Sequence, residues 1–289
     1  MNAPYRVTSD EEFTTTVPNM TNSADYTVQR RNADGVALTS YVADPATQSQ
    51  PIVFVHGGLH GAWSWASWQR WFADHGWNST SFDWYSHGES RQLPTEQWLR
   101  RGIADVGEEI GIACRAAGGR PILVAHSMGG LAALLFAVAN PDSVSALVLL
   151  TPVVPRSCAS AALEMPIDMD QLWQVPPIEI TRGLFFSGVD DDSASEIYSK
   201  LQAESPKAVF EATRFVTDVE VERLTVPSFV VAAEDDQLVP AGYVTSLASA
   251  INAETVTLPG AGHGVPHDEG WPALAQQIDA WLTKIVGSA

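Results

Sequence analysis

The 289-residue chain is 45% hydrophobic and 17% charged, a globular composition with length for one large domain or for a core carrying an insertion. Sixteen basic against 34 acidic residues give a formal net charge of −18, which argues against nucleic acid and against an anionic membrane surface as partners. No apolar run approaches the roughly 20 residues needed to span a bilayer, and two cysteines, Cys114 and Cys158, cannot supply a disulfide framework.

The segment before Tyr26 is rich in Thr, Ser and Asn, with no basic stretch leading into an apolar one. It reads as a loosely ordered leader over residues 1–25 and not as a secretory signal, and with two incidental thiols the expected location is cytoplasmic. Tyr26–Arg31 and Val36–Val42 flank Asn32-Ala33-Asp34-Gly35, a turn signal joining two short strands. The apolar run Pro51–Val55 reads as a strand buried on both faces, ending at His56-Gly57-Gly58. Trp63–His75 reads as a helix, with Trp63, Trp65, Trp68 and Trp71 at near-helical spacing as packing residues, and Asn78–Phe82 as the next strand. Pro94–Ala117 carries apolar residues at helical spacing and stops at Gly118-Gly119. Strand Pro121–Ala125, helix Met128–Ala139 and strand Ser145–Leu150 follow.

Strand and helix therefore alternate, which predicts a mostly parallel sheet with helices on both faces. From Val153 to Arg223 the rhythm breaks into irregular, proline-rich chain with bulky apolar residues. It resumes with strand Val226–Ala233, helix Ala241–Ala250, strand Thr255–Leu258 and helix Trp271–Val286. The expected organisation is a core of residues 26–152 and 224–289, with 153–223 inserted over the C-terminal edge of the sheet, where such folds bind ligands.

The strongest chemical signal is Pro121-Ile122-Leu123-Val124-Ala125-His126-Ser127-Met128-Gly129-Gly130, a buried strand running through small-x-Ser-x-Gly into a helix. A nucleophile on a strained strand-to-helix turn needs this context, with small residues two positions either side, here Ala125 and Gly129. The helix N-terminus would favour a developing anion at Ser127. A serine that merely caps a helix satisfies the same pentapeptide, so the later chain decides. Glu234-Asp235-Asp236 stands at the end of one later strand, and Gly262-His263-Gly264 at the end of the next. That gives serine, acid and histidine in the chain order this triad requires.

With these motifs the chain resembles the α/β-hydrolase superfamily from about Tyr26 to Val286. The resemblance implies an α/β-hydrolase fold: a mostly parallel, eight-stranded-type sheet flanked by helices, with a helical cap insertion. It implies Ser127 as nucleophile, His263 as base and Asp236 as acid on the Asp-x-x-Val-Pro spacing, with Asp235 the alternative. It also implies an oxyanion hole from the N–H groups of Met128 and Gly58, with Leu59 the second choice after Gly58. The run His56-Gly57-Gly58-Leu59-His60-Gly61-Ala62-Trp63-Ser64-Trp65 resembles the methylesterase and hydroxynitrile-lyase-like group and bacterial carboxylesterases. Asp83 to Ser90 matches the superfamily's Asp-x-x-x-His-Gly-x-Ser loop, which makes His87 structural.

The expected reaction is acyl transfer from a small-to-medium, largely apolar ester or lactone to water, with no cofactor. His56 and His60 lie off any helix with no carboxylate beside them, so no metal site is expected and His56 orients its loop. Leu59, Trp173, Phe185 and Phe186 are the expected substrate contacts, and the assembly a monomer or homodimer. Two alternatives stand beside this reading. A hydroxynitrile-lyase-like reaction needs a cationic pocket lysine, and the lysines are Lys200, Lys207 and Lys284. A slow-turnover ligand receptor would keep the same triad.

Overall fold

The computed structural model describes residues 13–16, 25–186 and 188–286. Most of the expected N-terminal leader lies outside these residues; within them, Phe13–Thr16 forms strand β1, paired antiparallel with β2 (Asp25–Ala33). The chain then turns through Asp34-Gly35 into β3 (Val36–Asp44). Both turn residues have positive φ (51° and 86°), the combination that two-residue hairpins require and Asp-Gly supplies at low cost. The turn is tighter than the four-residue signal suggested, because the strands continue through Ala33.

β4 (Ile52–Val55), α1 (Ala66–Asp74) and β5 (Ser79–Phe82) follow. The stretch expected as one helix over 94–117 is broken into α2 (Thr95–Leu99), a short 3-10 turn at Ile103–Val106 and α3 (Gly107–Ala117). Gly102 is extended between them, and Asp105 Oδ2 accepts its N–H at 2.7 Å, restarting the helix. β6 (Ile122–His126), α4 (Ser127–Ala139) and β7 (Ala146–Leu150) come next. Residues 151–227 carry α5 (Ile178–Phe185), α6 (Asp191–Lys200) and α7 (Pro206–Arg214). The core resumes with β8 (Ser228–Ala233), α8 (Ala241–Ala250), β9 (Glu254–Leu258) and α9 (Trp271–Val286).

The nine strands of the described residues form one sheet in the order β1-β2-β3-β5-β4-β6-β7-β8-β9. The six strands from β5 to β9 in that order run parallel, and β1 to β3 form an antiparallel edge. The expected α/β-hydrolase architecture is therefore present, with β1 as an additional edge strand.

Side chains alternate between two cores, which is why the central strands read as continuous apolar runs. Ile52 and Phe54 face a core closed by Trp68 and Phe72 of α1 and Leu274, Ile278 and Leu282 of α9. Val53 and Val55 face the opposite core, closed by α3, α4 and α8. Trp65 and Trp68 are fully buried beside Phe54, as the packing reading of those tryptophans expects. Burying each such aromatic contributes about 2–3 kcal/mol.

β4 lies between β5 and β6, so the chain reverses its direction of travel across the sheet there. The loops after β4 and β6 consequently diverge and leave a crevice at the strands' C-terminal ends. Those two loops carry Gly58 and Ser127.

Candidate active site

Ser127 follows β6 directly and opens α4 with φ +54°, a left-handed conformation that costs a non-glycine residue on the order of 1–3 kcal/mol. The turn is crowded enough to explain its small neighbours. A Cβ on Gly129 would sit 2.1 Å from the His56 carbonyl oxygen, and one on Gly57 would sit 3.0 Å from Ser127 Cβ. The first residues of α4 have no intrahelical partner for their N–H groups, so positive potential gathers beside Ser127.

β8 and β9 deliver the other two groups. Ser127 Oγ lies 2.8 Å from His263 Nε2, and His263 Nδ1 lies 2.8 Å from Asp236 Oδ2. All three residues are buried. Asp236 Oδ1 accepts the N–H groups of Leu238 (2.8 Å) and Val239 (2.9 Å), which fixes the carboxylate and presents its other oxygen to the ring. Nδ1 must then carry the proton, leaving Nε2 as acceptor for the serine hydroxyl. The His263 carbonyl accepts from His126 Nε2 (2.9 Å) and Thr151 Oγ1 (3.0 Å), so the histidine loop is tied to the ends of β6 and β7. The alternative acid Asp235 is exposed, as is Glu234, and neither contacts His263.

The loop after β4 is held by its own histidines. His56 Nδ1 donates to Gly57 O at 2.7 Å while its Nε2 accepts the Trp84 N–H at 3.2 Å. This bond fixes the peptide plane whose far end is the Gly58 N–H. His60 Nδ1 donates to Gly58 O at 2.8 Å, fixing the next plane. Burial holds His56 well below the ordinary imidazole range and pushes His60 down to about 4, so both bond as neutral rings. The Leu59 N–H is given to Glu204 Oε2 at 3.3 Å and is thereby committed within the fold. Gly58, Met128 and the Leu59 side chain all line the cavity above Ser127.

That cavity is partly open, and the ≈ 550 Å³ of space within it includes solvent at its mouth. The chain between β7 and β8 walls it with Leu163, Met165, Trp173, Leu184, Phe185 and Val209. Thr213 also lines it, its hydroxyl donating to Val209 O at 2.8 Å and keeping only its oxygen as an acceptor. Among the described residues no Asp, Glu, Lys or Arg side chain borders the space, and neither Lys200 nor Lys207 reaches it: Lys200 pairs with Glu196 and Lys207 with Glu211. Of the expected contacts, Leu59, Trp173 and Phe185 line this cavity, whereas Phe186 does not. At 1% exposure it is buried in a small cluster with Val189 and Ala194, edge-on to His60 and His267.

His87 is buried 3.2 Å from Glu204 Oε2, away from Ser127, in keeping with a structural role. His267 stacks with His60 (centroids 5.6 Å) behind the site, and burial pushes it down to about 3. Burial likewise pushes the Cys114 thiol up to about 12 and raises Cys158. Among the described residues no three His, Cys, Asp or Glu side chains converge in a metal-binding arrangement, and no helix is long and apolar enough to cross a membrane. The residue that sequence reasoning missed is Glu204, one glutamate in an irregular segment with no motif around it.

Comparison with known proteins adds the following. The model of the alpha/beta hydrolase family matches residues 52–277. Methylesterase 9 of Arabidopsis thaliana is 33% identical over 107 residues, which cover 36% of this chain and 40% of that protein. A 2-hydroxy-6-oxononadienedioate/2-hydroxy-6-oxononatrienedioate hydrolase of Burkholderia vietnamiensis is 32% identical over 124 residues, 40% of this chain and 41% of that protein. The matched stretches thus span about two fifths of these curated relatives. Among solved structures, a thermophilic esterase from Thermogutta terrifontis superposes with a TM-score of 0.64 at 17% identity, covering 95% of this chain and 99% of that one.

Proposed function

The chain belongs to the alpha/beta hydrolase family, and we propose that within it the protein is a serine-dependent carboxylic ester hydrolase acting on small-to-medium, uncharged, largely apolar esters or lactones. The observation that supports this most is the hydrogen-bonded line Asp236–His263–Ser127, 2.8 Å at each step, opening onto an apolar cavity. Esterase and methylesterase relatives agree with the reading.

In this mechanism His263 Nε2 takes the hydroxyl proton as Ser127 Oγ attacks the carbonyl carbon. Asp236 stabilises the imidazolium and keeps its Nδ1 proton in place. The N–H groups of Gly58 and Met128 bind the oxyanion, each such donor contributing about 10²–10³ in rate. His263 then protonates the leaving alcohol, and afterwards activates water to release the acid and restore the serine. No cofactor enters. Residues 153–223 act as a cap that walls the substrate site.

Neutral substrates follow from the lining. A second carboxylate, as in the dioate named for the Burkholderia relative, would be desolvated here with no cationic partner. The same lack of a lysine counts against the lyase reaction. The test compares wild type with Ser127→Ala on p-nitrophenyl acetate, butyrate and octanoate. Repeated turnover by wild type and background release by the variant support the reading; equal activity in both overturns Ser127 as nucleophile. A single stoichiometric release by wild type would instead favour a receptor.

A further inference from the structure

Leu59 has φ +68°, and it is a branched residue in a conformation that suits glycine. Its neighbour Gly58 carries the proposed oxyanion donor, so whatever holds Leu59 in that conformation also shapes the oxyanion hole. Both backbone groups of Leu59 are held by one stretch of the cap. Gln202 N–H donates to Leu59 O at 3.0 Å, and Leu59 N–H donates to Glu204 Oε2 at 3.3 Å. The Gln202 side chain extends the contact, with Nε2 3.4 Å from His60 O and Oε1 3.4 Å from Gly88 N.

That stretch is itself firmly anchored. Glu204 exchanges both backbone hydrogen bonds with Trp173 at 2.9 Å each, and Ser205 Oγ donates to Arg101 O at 2.6 Å. Glu204 is 2% exposed, and its second oxygen accepts the Ser205 N–H at 2.7 Å. Its Oε2 would stand 3.5 Å from a Cβ on Gly58, directly behind the donor peptide. A bare carboxylate there would repel a developing oxyanion, but this one has His87 Nε2 3.2 Å from Oε2.

We infer that cap residues Gln202–Ser205 form a strap that holds the oxyanion loop in its working shape, with Glu204 the positioning residue that fixes Leu59 and, through it, the Gly58 N–H. The cap is then part of the machinery for transition-state binding as well as a wall of the substrate site. This inference rests on the serine-hydrolase reading of the same site. Glu204 touches no substrate atom and acts only through the loop.

The experiment compares Glu204→Ala, Glu204→Gln, Leu59→Gly and the double variant Leu59→Gly/Glu204→Ala with wild type, on p-nitrophenyl butyrate and by amide hydrogen exchange. Because a displaced donor costs less than a deleted one, Glu204→Ala should lower kcat roughly 10- to 100-fold while KM changes less than about threefold. Glu204→Gln keeps one oxygen for Leu59 and should lose less. Glycine adopts φ +68° without a steric penalty, so Glu204→Ala should cost markedly less kcat when introduced into Leu59→Gly than into wild type. The Leu59 amide should exchange faster in Glu204→Ala. Equal kcat losses in the two backgrounds, or a loss confined to KM, would overturn the strap. If wild type shows no Ser127-dependent hydrolysis, the hydrolase reading fails; unchanged Leu59 exchange in Glu204→Ala then overturns the strap independently, and faster exchange supports it.

Discussion

Acidification from pH 7 to pH 5 should destabilise this protein, and buried histidines carry the effect. A histidine whose pKa is lower in the fold than in the unfolded chain binds fewer protons when folded, so its stabilising contribution is lost as pH falls below the unfolded value near 6.5. His60, held by burial at about 4, and His267, held by burial at about 3, stay neutral across that interval. Linkage makes each cost about 2 kcal/mol between pH 7 and pH 5, or about 4 kcal/mol together. Burial holds His56 and His126 well below the ordinary range, and they act in the same direction.

Three groups oppose them. Asp268, raised by burial to about 6, takes up a proton in the fold and returns about 1 kcal/mol over the interval. Glu109 is raised by burial, and His87 is raised because the adjacent Glu204 carboxylate outweighs its burial; both also favour the fold as pH falls. The net loss from His60, His267 and Asp268 is about 3 kcal/mol, or roughly 5 °C in Tm for a chain of this length. Urea unfolding at pH 7, 6 and 5 and constant ionic strength measures it. His267→Asn should flatten the pH slope by about 2 kcal/mol over the interval. Equal or greater stability at pH 5, or a slope unchanged by His267→Asn, would refute the reasoning.

Other outcomes are equally specific. Asp236→Asn keeps an oxygen for the Leu238 and Val239 N–H groups but turns an amide N–H toward His263 Nδ1. It should leave Tm nearly unchanged and lower kcat by about 10⁴ through the wrong tautomer, read by steady-state ester hydrolysis. Trp173→Ala removes a wall of the cavity while retaining its backbone bonds to Glu204. It should shift preference toward the octanoate ester by about 10-fold in kcat/KM relative to acetate, as expected for added room in an apolar pocket.

The elbow around Ser127 was legible because close packing forces small residues into fixed offsets, and the acid and histidine because each follows a strand that sheet order makes adjacent to the next. The choice of Asp236 over Asp235 follows from a spacing in sequence, and in the fold only Asp236 is buried against the ring. Glu204 was not legible because its partners, Leu59 and His87, lie more than a hundred residues away and meet it only when the insertion folds back. Phe185 and Phe186 read alike in sequence, since which of two adjacent aromatics lines the cavity and which is buried beside Val189 and Ala194 is decided by packing of the insertion. The break at Gly102 escaped notice because helical periodicity continues across it.

The two cores on either side of the sheet are unequal optically. Trp65, Trp68, Trp77 and Trp281 are buried in the core closed by α1 and α9, with Trp71 and Trp271 packed against it. The core closed by α3, α4 and α8 holds Trp84. Intrinsic tryptophan emission is therefore a lopsided witness, dominated by events on the α1/α9 face and nearly silent about the opposite one. A fluorescence transition that coincides with one followed by backbone circular dichroism would mean that both faces melt together. A fluorescence transition that lags or leads would reveal two faces coming apart at different denaturant concentrations, which emission alone would never disclose.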